Sequence, residues 1–160
     1  MSVLKPAVFA LLVLASTSAR ASEEPRPRSI GEGFRRGRAV DVTRVDVGGA
    51  WLAHDIAEKF LAMQAAAAAD GVELHIRSGF RTFEQQRWLY QAWRAGFGAK
   101  AARPGHSNHQ LGRAADIYLT EDVYAWLTRN ARRFGFRRTV PSEPWHWEAK
   151  PTRVKRARRR

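Results

Sequence analysis

The stretch Pro104-Gly105-His106-Ser107-Asn108-His109-Gln110-Leu111-Gly112-Arg113-Ala114-Ala115-Asp116 is the part of the sequence that constrains the fold most. A Pro-Gly pair opens it as a turn, and two small alanines lead into a β-like run that starts at Asp116. His109 and Asp116 lie seven residues apart, so a loop and the start of a strand can direct both side chains to one point. Imidazole nitrogen and carboxylate oxygen are ordinary zinc ligands. The stretch therefore predicts a metal site where a loop meets a strand.

A second stretch, Glu143-Pro144-Trp145-His146-Trp147, offers the third ligand. In a strand, the two tryptophans would lie on one face and His146 on the other, because successive side chains alternate. Three protein ligands leave the fourth position of a tetrahedral zinc ion open, whereas structural zinc sites are closed by four. The sequence therefore predicts one catalytic Zn²⁺ per chain, held by His109, Asp116 and His146.

The same region supplies a general base for a zinc-activated water. Zinc lowers the pKa of its water toward neutrality, but a base must still accept the proton. Glu143, three residues before His146, is the nearest carboxylate in sequence on that side of the site, and Glu148 is its rival. Glu143 could instead be a surface carboxylate before a turn. Ser107, two residues before His109, would face the same side of an extended loop and could bond substrate.

Other combinations of these residue types are weaker hypotheses. His75 and His106 are interpreted as solvated residues or as supports for the ligands. A serine hydrolase using Ser107, His109 and Asp116 has suitable residue types, but the sequence lacks the strand-turn-helix elbow that exposes such a serine. The chain has no cysteine, which excludes a cysteine nucleophile, Cys-based zinc sites and disulfides.

The two ends of the 160-residue chain differ in composition from its middle. Lys5, the apolar run Ala7–Ala15 and the Ala19-Arg20-Ala21 site predict a signal peptide over 1–21, cleaved near Ala21. The apolar run is too short for an ordinary spanning helix, although an uncleaved anchor is the alternative. The mature protein is therefore expected to be exported, to the periplasm or cell envelope, and to be one domain with a sizeable core.

Basic charge is concentrated at the C-terminus. The formal net charge is +13, and seven Lys or Arg residues lie in the last eleven positions, 150–160. Such a block is normally solvated and can bind polyanions. In an exported protein we expect it to contact anionic envelope polymers or lipid head groups, or to have no dedicated partner. Nucleic acid is not an expected partner, and a monomer is the expected state.

The middle of the chain predicts a small single α+β domain. Residues 22–38, rich in Pro, Gly, Glu and Arg, predict a loose lead-in, and residues 39–149 the domain itself. The alternation of strands and helices favours βαβ units, but the short strands and the clustered candidate site suggest a mostly antiparallel sheet with helices packed on it. The main predicted elements are short strands over 39–47, a helix over 50–69, a strand over 72–78, a helix after Thr82, which forms a capping box with Gln85, and a helix after Thr120.

Three stretches taken together resemble the signature of VanY-type D-alanyl-D-alanine carboxypeptidases. These are zinc peptidases grouped with lysostaphin-like enzymes and the hedgehog fold. The stretches are Ser78-Gly79-Phe80-Arg81-Thr82, Ser107 to Asp116, and Glu143 to Trp147. The resemblance extends over roughly 40–147, and three motifs in the right order are a specific signal.

The resemblance implies a role for each of seven residues. His109, Asp116 and His146 would bind zinc, and Glu143 would be the general base. Arg81, Gln86 and Ser107 would contact the peptide carbonyl or terminal carboxylate of the substrate, with Arg81 also assisting catalysis. The implied fold is a small α+β domain in which an antiparallel sheet forms the floor of the site.

The implied activity is removal of the terminal D-alanine from peptidoglycan stem peptides, with D,D or L,D specificity. The alternative is a non-catalytic cell-wall-binding module with the same fold. The presence of all three ligands and the base favours the enzyme. Asn108 and Arg113 depart from the family pattern, which bears on loop packing and specificity.

Overall fold

Two antiparallel sheets and three α-helices make up residues 26–151, the part of the chain described by the computed structural model. This confirms the predicted α+β class, with the sheet divided in two. The expected signal peptide over 1–21 and residues 152–160 of the basic tail lie outside the described residues. Within 26–151, none of the helices combines the length and the apolar character needed to cross a membrane.

The first sheet contains a long hairpin, β1 (Arg28–Arg35) and β2 (Arg38–Asp46), followed by the short β3 (Trp51–Ala53). The hairpin is paired from Arg28↔Val45 to Arg35↔Arg38. The prediction of a loose lead-in over 22–38 is therefore wrong for residues 28–35. Their apolar content is low, and they form a strand because β2 offers a complete hydrogen-bonding partner.

The second sheet places two predicted ligands side by side. It has the order β4-β5-β7-β6, with every neighbouring pair antiparallel. Asp116 on β5 lies opposite His146 on β7. The strand predicted over 72–78 is shorter than expected, because only its last three residues pair with β5. The four strands are β4 (Ile76–Ser78), β5 (Ala114–Ile117), β6 (Phe136–Arg137) and β7 (His146–Ala149).

The three helices are α1 (His54–Ala69), α2 (Phe83–Arg94) and α3 (Glu121–Asn130). The helix predicted from residue 50 begins at His54, since residues 51–53 pair with β2 instead. The capping box predicted for α2 is confirmed: Thr82 Oγ1 accepts from the Gln85 amide, and the Gln85 side chain accepts from the Thr82 amide. Two short 3₁₀ helices, Asn108–Leu111 and Ala131–Phe134, complete the fold.

One hydrophobic core packs against both sheets. The predicted apolar stripe of α1 is buried, and Phe60 meets Phe136 of β6 edge-on with 6.2 Å between ring centroids. Leu52 of β3 and Ile117 of β5 are buried in the same cluster. Backbone bonds join the two halves beside the predicted metal site, from Ala53 N to Gly112 O at 3.0 Å and from Phe80 N to Trp51 O at 2.5 Å.

Candidate metal centre

Three different elements supply the three predicted ligands. His109 lies in the 3₁₀ helix Asn108–Leu111, where the Ser107 hydroxyl accepts a bond from the His109 amide at 3.3 Å. Asp116 and His146 come from the adjacent strands β5 and β7. All three side chains are buried, and the structure brings them together as the sequence predicted.

The donor atoms have the spacing of a metal site. His109 Nε2 lies 3.3 Å from both His146 Nδ1 and Asp116 Oδ1, and His146 Nδ1 lies 2.9 Å from Asp116 Oδ1. Ligands about 2.0–2.1 Å from a tetrahedral zinc ion are separated from each other by about 3.3 Å. Two imidazoles and a carboxylate are also a donor set that zinc accepts. The residues present therefore fit zinc in both chemistry and spacing.

Each ligand is held in place through its other polar atom. His109 Nδ1 donates to the Gly79 carbonyl at 2.6 Å, and His146 Nε2 donates to Glu148 Oε1 at 2.9 Å. Arg81 Nη2 donates to Asp116 Oδ2 at 2.6 Å. Such partners fix the tautomer and orientation of metal-binding imidazoles. The remaining nitrogens and the free Asp116 oxygen are thus directed to one point.

Glu148 does not lie where a general base for the zinc-activated water would be expected. Its carboxylate bonds the Nε2 of His146, the nitrogen directed away from the other two ligands. Burial acts against ionisation of Glu148, but hydrogen bonds from His146 and Asn108 and the charge of His146 together outweigh it and lower the Glu148 pKa. The sequence signal for this role was the two-residue spacing, which puts both side chains on one face of β7.

The pKa values of the cluster reflect its dense hydrogen bonding. Burial lowers the pKa of His109 below its usual value despite the adjacent Asp116. Burial of Asp116 acts the other way, but bonds from His109 and His146 hold the pKa of that carboxyl well below its usual range. Burial of His146 is likewise outweighed by Asp116 and Glu148, which raise its pKa to about 9. Because a ligating imidazole must be neutral, a metal ion would compete with a proton at His146.

A cavity of about 350 Å³ opens over the cluster. Glu143 lines it, is half-buried, and lies close enough to Arg81 to counteract the lowering of the Arg81 pKa that burial causes. A turn fixes Glu143 relative to the ligands, since the His146 amide donates to the Glu143 carbonyl at 3.1 Å. Arg77, which the sequence analysis did not single out, also lines the cavity, with its guanidinium 5.3 Å from the Trp145 ring centroid.

The predicted substrate-contacting residues also line this cavity. Arg81 donates to Asp116, and the Ser107 hydroxyl accepts from the His109 amide, so both side chains lie beside the candidate ligands. Gln86 is only 1% exposed, and its amide Nε2 donates to the Ala102 carbonyl at 2.8 Å. Its Oε1 is buried and has no hydrogen-bond partner within 26–151. Substrate contact by Arg81, Gln86 and Ser107 stays a prediction.

The geometry supports neither metal binding by His75 or His106 nor the serine-hydrolase hypothesis. His75 is exposed and pairs with Glu73 at 3.2 Å, and neither His75 nor His106 belongs to the metal-ligating group found among the described residues. The Ser107 hydroxyl bonds the backbone of His109, whose two ring nitrogens are directed to Gly79 and to the cluster. Ser107 is therefore not paired with a base in the way a nucleophilic serine requires.

Comparison with known proteins places this geometry in a family. The family model described as VanY, D-alanyl-D-alanine carboxypeptidase, matches residues 49–151. This chain belongs to the VanY D-alanyl-D-alanine carboxypeptidase family. The match includes the three ligands, Arg81 and Glu143, and the resemblance inferred from the three motifs is confirmed.

Individual members of the family are similar in sequence and in fold. A D-alanyl-D-alanine carboxypeptidase of Enterococcus faecalis is 37% identical over 112 residues, covering 51% of this chain and 42% of the relative. One from Enterococcus faecium is 34% identical over 114 residues, covering 60% of this chain and 36% of the relative. The chain therefore spans less than half the length of these curated relatives.

Solved structures of similar proteins share the fold. VanYB in complex with D-alanine-D-alanine superposes with a TM-score of 0.61 at 29% identity, covering 72% of this chain and 83% of that one. A mutant of the VanY D,D-pentapeptidase from a VanB-type resistance cassette, in complex with Zn(II), gives 0.60 at 29% identity, covering 72% and 85%. The LD-carboxypeptidase LdcB gives 0.55 at 26% identity, covering 63% and 60%.

Proposed function

We propose that this protein is a zinc-dependent carboxypeptidase that removes the terminal D-alanine from peptidoglycan stem peptides. The observation that carries the proposal is the set of three donor atoms at zinc spacing, on the floor of a cavity that Glu143 also lines. Two similar proteins support the substrate and the metal, one solved with D-alanine-D-alanine and one with Zn(II).

His109, Asp116 and His146 would hold the zinc ion. When bound, zinc supplies Lewis-acid polarisation of the scissile carbonyl and lowers the pKa of a water molecule. The protein's contribution is a pre-oriented set of donors, because the three side chains are buried and their outer atoms are already bonded to Gly79, Glu148 and Arg81.

Glu143 would transfer the protons of the reaction. Its carboxylate accepts a proton from the attacking water and then gives one to the leaving amine of D-alanine, which balances hydrolysis of the amide bond. The nearby Arg81 guanidinium places a positive charge beside this carboxylate. Glu148 is not available for this role, because its carboxylate bonds His146.

Arg81 would bind the substrate's negative charge. One guanidinium nitrogen, Nη2, donates to Asp116, and Nε donates to the Ser78 hydroxyl at 3.2 Å. These two bonds fix the plane of the guanidinium at the cavity wall, and its other N–H groups remain to bind the oxyanion or the terminal carboxylate. Ser107 can donate its hydroxyl proton to the same peptide, since the bond from the His109 amide uses that oxygen as an acceptor.

The function is tested with defined muropeptides and mass spectrometry. Zinc-loaded protein should release one terminal alanine, and a chelator should stop the release. Glu143→Gln should keep the fold and the zinc and lower turnover by about 10²–10⁴-fold, because glutamine cannot accept the proton. Glu121→Gln, at the exposed start of α3, is the matched control and should remain fully active.

Three other outcomes would count against parts of the proposal. Loss of zinc in Glu143→Gln would make Glu143 a ligand and close the fourth position. Binding of muropeptides without cleavage would favour the alternative, a non-catalytic wall-binding module. Retention of full zinc occupancy in His109→Ala would show that the ligand assignment is wrong, since two ligands are too few to hold the ion.

The proposed place of the reaction is the cell envelope. This proposal depends on the signal-peptide pattern over 1–21 and on the location of the proposed substrate. Fractionation of cells that produce the full chain should place the mature protein outside the cytoplasm, with an N-terminus near Ser22. An intact N-terminus in the soluble cytoplasmic fraction would overturn it.

A further inference from the structure

A second cavity adjoins the one above the metal cluster. It has a volume of about 490 Å³, and it shares His106, Ser107 and Asn108 with the site cavity. The two cavities therefore meet along the loop that ends in the ligand His109. A carboxypeptidase has only one residue on the leaving side of the scissile bond, so a cavity of this size beyond the site is available to the acyl side of the peptide.

The wall of this second cavity is strongly basic. Arg35 and Arg36 come from the end of the β1–β2 hairpin, and Arg113 follows the 3₁₀ helix that holds His109. None of the described residues that line it is acidic. Burial lowers the pKa of Arg113, and the nearby charge of Arg35 lowers it further. The charge of Asp55 acts in the opposite direction but does not cancel these two effects. Two of the arginines are thus close enough to repel each other, and a bound anion would relieve that repulsion.

The hairpin is fixed to the ligand loop by several contacts. Gly37 N donates to the Gly105 carbonyl at 2.9 Å, and Gly105 N donates to the buried Gln110 side chain at 2.7 Å. A Cβ on Gly33 would lie 2.5 Å from the Gln110 carbonyl oxygen, so the two backbones pack directly. The basic end of the hairpin is therefore held at one position relative to the metal site.

Arg36, at the tip of the hairpin, is an unusual residue type for its backbone conformation. Arg36 has φ +51° and Gly37 has φ +78°, both in the left-handed region. Asn or Gly is the preferred residue at the first of these positions in a two-residue hairpin. The arginine at this position therefore departs from the local preference. The hairpin also precedes residue 49, where the family match begins, so it lies outside the matched region.

We infer that this second cavity is an anion subsite that binds a carboxylate on the acyl side of the stem peptide. The inference rests on the proposed function for its substrate. Arg35, Arg36 and Arg113 would supply the positive charge, and Asn108 a neutral polar group at the boundary with the site cavity. Stem peptides carry such a carboxylate on their D-glutamate residue, or an uncharged carboxamide where that residue is amidated. The subsite would therefore distinguish the two forms.

The test uses two synthetic pentapeptides that end in D-alanyl-D-alanine and differ only at this group, free carboxylate or carboxamide. Cleavage rates are measured with the zinc-loaded protein, and affinities by calorimetry with Glu143→Gln. The wild type should prefer the carboxylate peptide by about 3–10-fold, the scale of two partly exposed ion pairs. Arg36→Asn, which removes one of these charges but suits the turn, should lower the ratio to about 2–3-fold, the scale of the one remaining ion pair.

The matched control is Arg28→Asn, which removes the same charge at the far end of β1. It should keep the wild-type ratio, because the effect depends on position and not on net charge. Equal handling of the two peptides by the wild type would overturn the subsite while leaving the carboxypeptidase activity intact. An equal loss for both peptides in Arg36→Asn would also overturn it, since the arginines would then bind the terminal carboxylate.

Failure of the proposed function would give a different result. If neither peptide is cleaved but calorimetry still shows the carboxylate preference and its decrease in Arg36→Asn, the subsite stands and the carboxypeptidase assignment fails. If neither cleavage nor a difference in affinity is found, both are wrong.

Discussion

Among single residues, Glu148 allows the proposed metal binding to be tested apart from the proposed catalysis. Its bond to His146 Nε2 orients the imidazole so that Nδ1 faces the cluster. Partners of this kind typically change metal affinity by about 10–100-fold when they are removed. Glu148→Gln should therefore weaken zinc binding by that factor, measured by competition with a chelating dye. At saturating zinc, turnover should be largely restored.

The control for Glu148 is another His–Glu pair of the same chain. Glu73 bonds His75 at 3.2 Å, but both side chains are exposed and lie outside the cluster. Glu73→Gln should leave zinc affinity unchanged. Unchanged zinc affinity in Glu148→Gln together with a collapse of turnover would instead make Glu148 the base.

Arg81 has a geometry that lysine cannot reproduce. Its guanidinium donates from Nε to Ser78 and from Nη2 to Asp116 at the same time. An ammonium group is a point charge without this fixed fork. Arg81→Lys should therefore be poor, and Arg81→Ala should slow turnover by about 10²–10³-fold if Arg81 binds the oxyanion. A loss confined to KM would place it on the terminal carboxylate.

The control for Arg81 is Arg87, an exposed α2 residue that pairs with Glu84. Arg87→Lys should leave both kcat and KM unchanged. Unaltered kinetics in the Arg81 variants would remove Arg81 from the active site.

The clustering of the three candidate ligands could be predicted from the sequence, but the groups that hold them could not. His109, Asp116 and His146 have residue types and spacings that few roles other than metal binding explain together. The Gly79 carbonyl that orients His109 carries no residue-type signal, since every residue has a carbonyl. Glu148 could be identified as a candidate, but its role depends on which nitrogen of His146 faces the cluster, which only the folded geometry determines.

Among the secondary-structure elements, α2 connects stability to the site. Its N-cap, Thr82, directly follows Arg81, and the reciprocal bonds with Gln85 fix the point where the chain leaves the cavity wall. Thr82→Ala should lower the free energy of unfolding by about 0.5–2 kcal/mol, measured by urea denaturation. It should also lower kcat/KM, because the backbone that carries Arg81 is less well fixed.

A second N-cap threonine provides the control for Thr82. Thr120 caps α3, where its hydroxyl accepts from the Val123 amide at 3.3 Å, and it does not line the site cavity. Thr120→Ala should cost a similar free energy of unfolding with no change in kcat/KM. Equal kinetic effects in the two variants would show that the loss is global and not transmitted through Arg81.

Elements with a local signal were predicted well, and elements that depend on a partner were not. The capping box and the apolar stripe of α1 are encoded in a few neighbouring residues. The strand β1 exists through its pairing with β2, and its Ile30 is 75% exposed, so no hydrophobic alternation marks it. The 3₁₀ helix that carries His109 is four residues long, too short for periodicity to indicate it.

At the scale of the whole molecule, the candidate metal site lies where the two sheets are joined. Gly112 ends the 3₁₀ helix of His109 with φ +61°, and its carbonyl accepts a bond from Ala53 of the first sheet. A Cβ at this position would lie 2.4 Å from the Ala53 backbone nitrogen. Only glycine therefore allows the ligand loop to approach the first sheet so closely. The join between the sheets and the position of His109 depend on the same contact.

Replacing Gly112 should therefore affect stability and metal binding together. Gly112→Ala carries the cost of a left-handed alanine, about 1–2 kcal/mol, and the backbone clash should add about 1–3 kcal/mol more. Gly71→Ala is the matched control, because Gly71 has φ +77° but a Cβ added there would meet no atom of residues 26–151 within 4 Å. Urea denaturation should show the larger loss for Gly112→Ala, and zinc titration should show weaker binding in that variant alone. Equal stability losses with equal zinc affinity would mean that the sheets and the ligand loop are joined elsewhere.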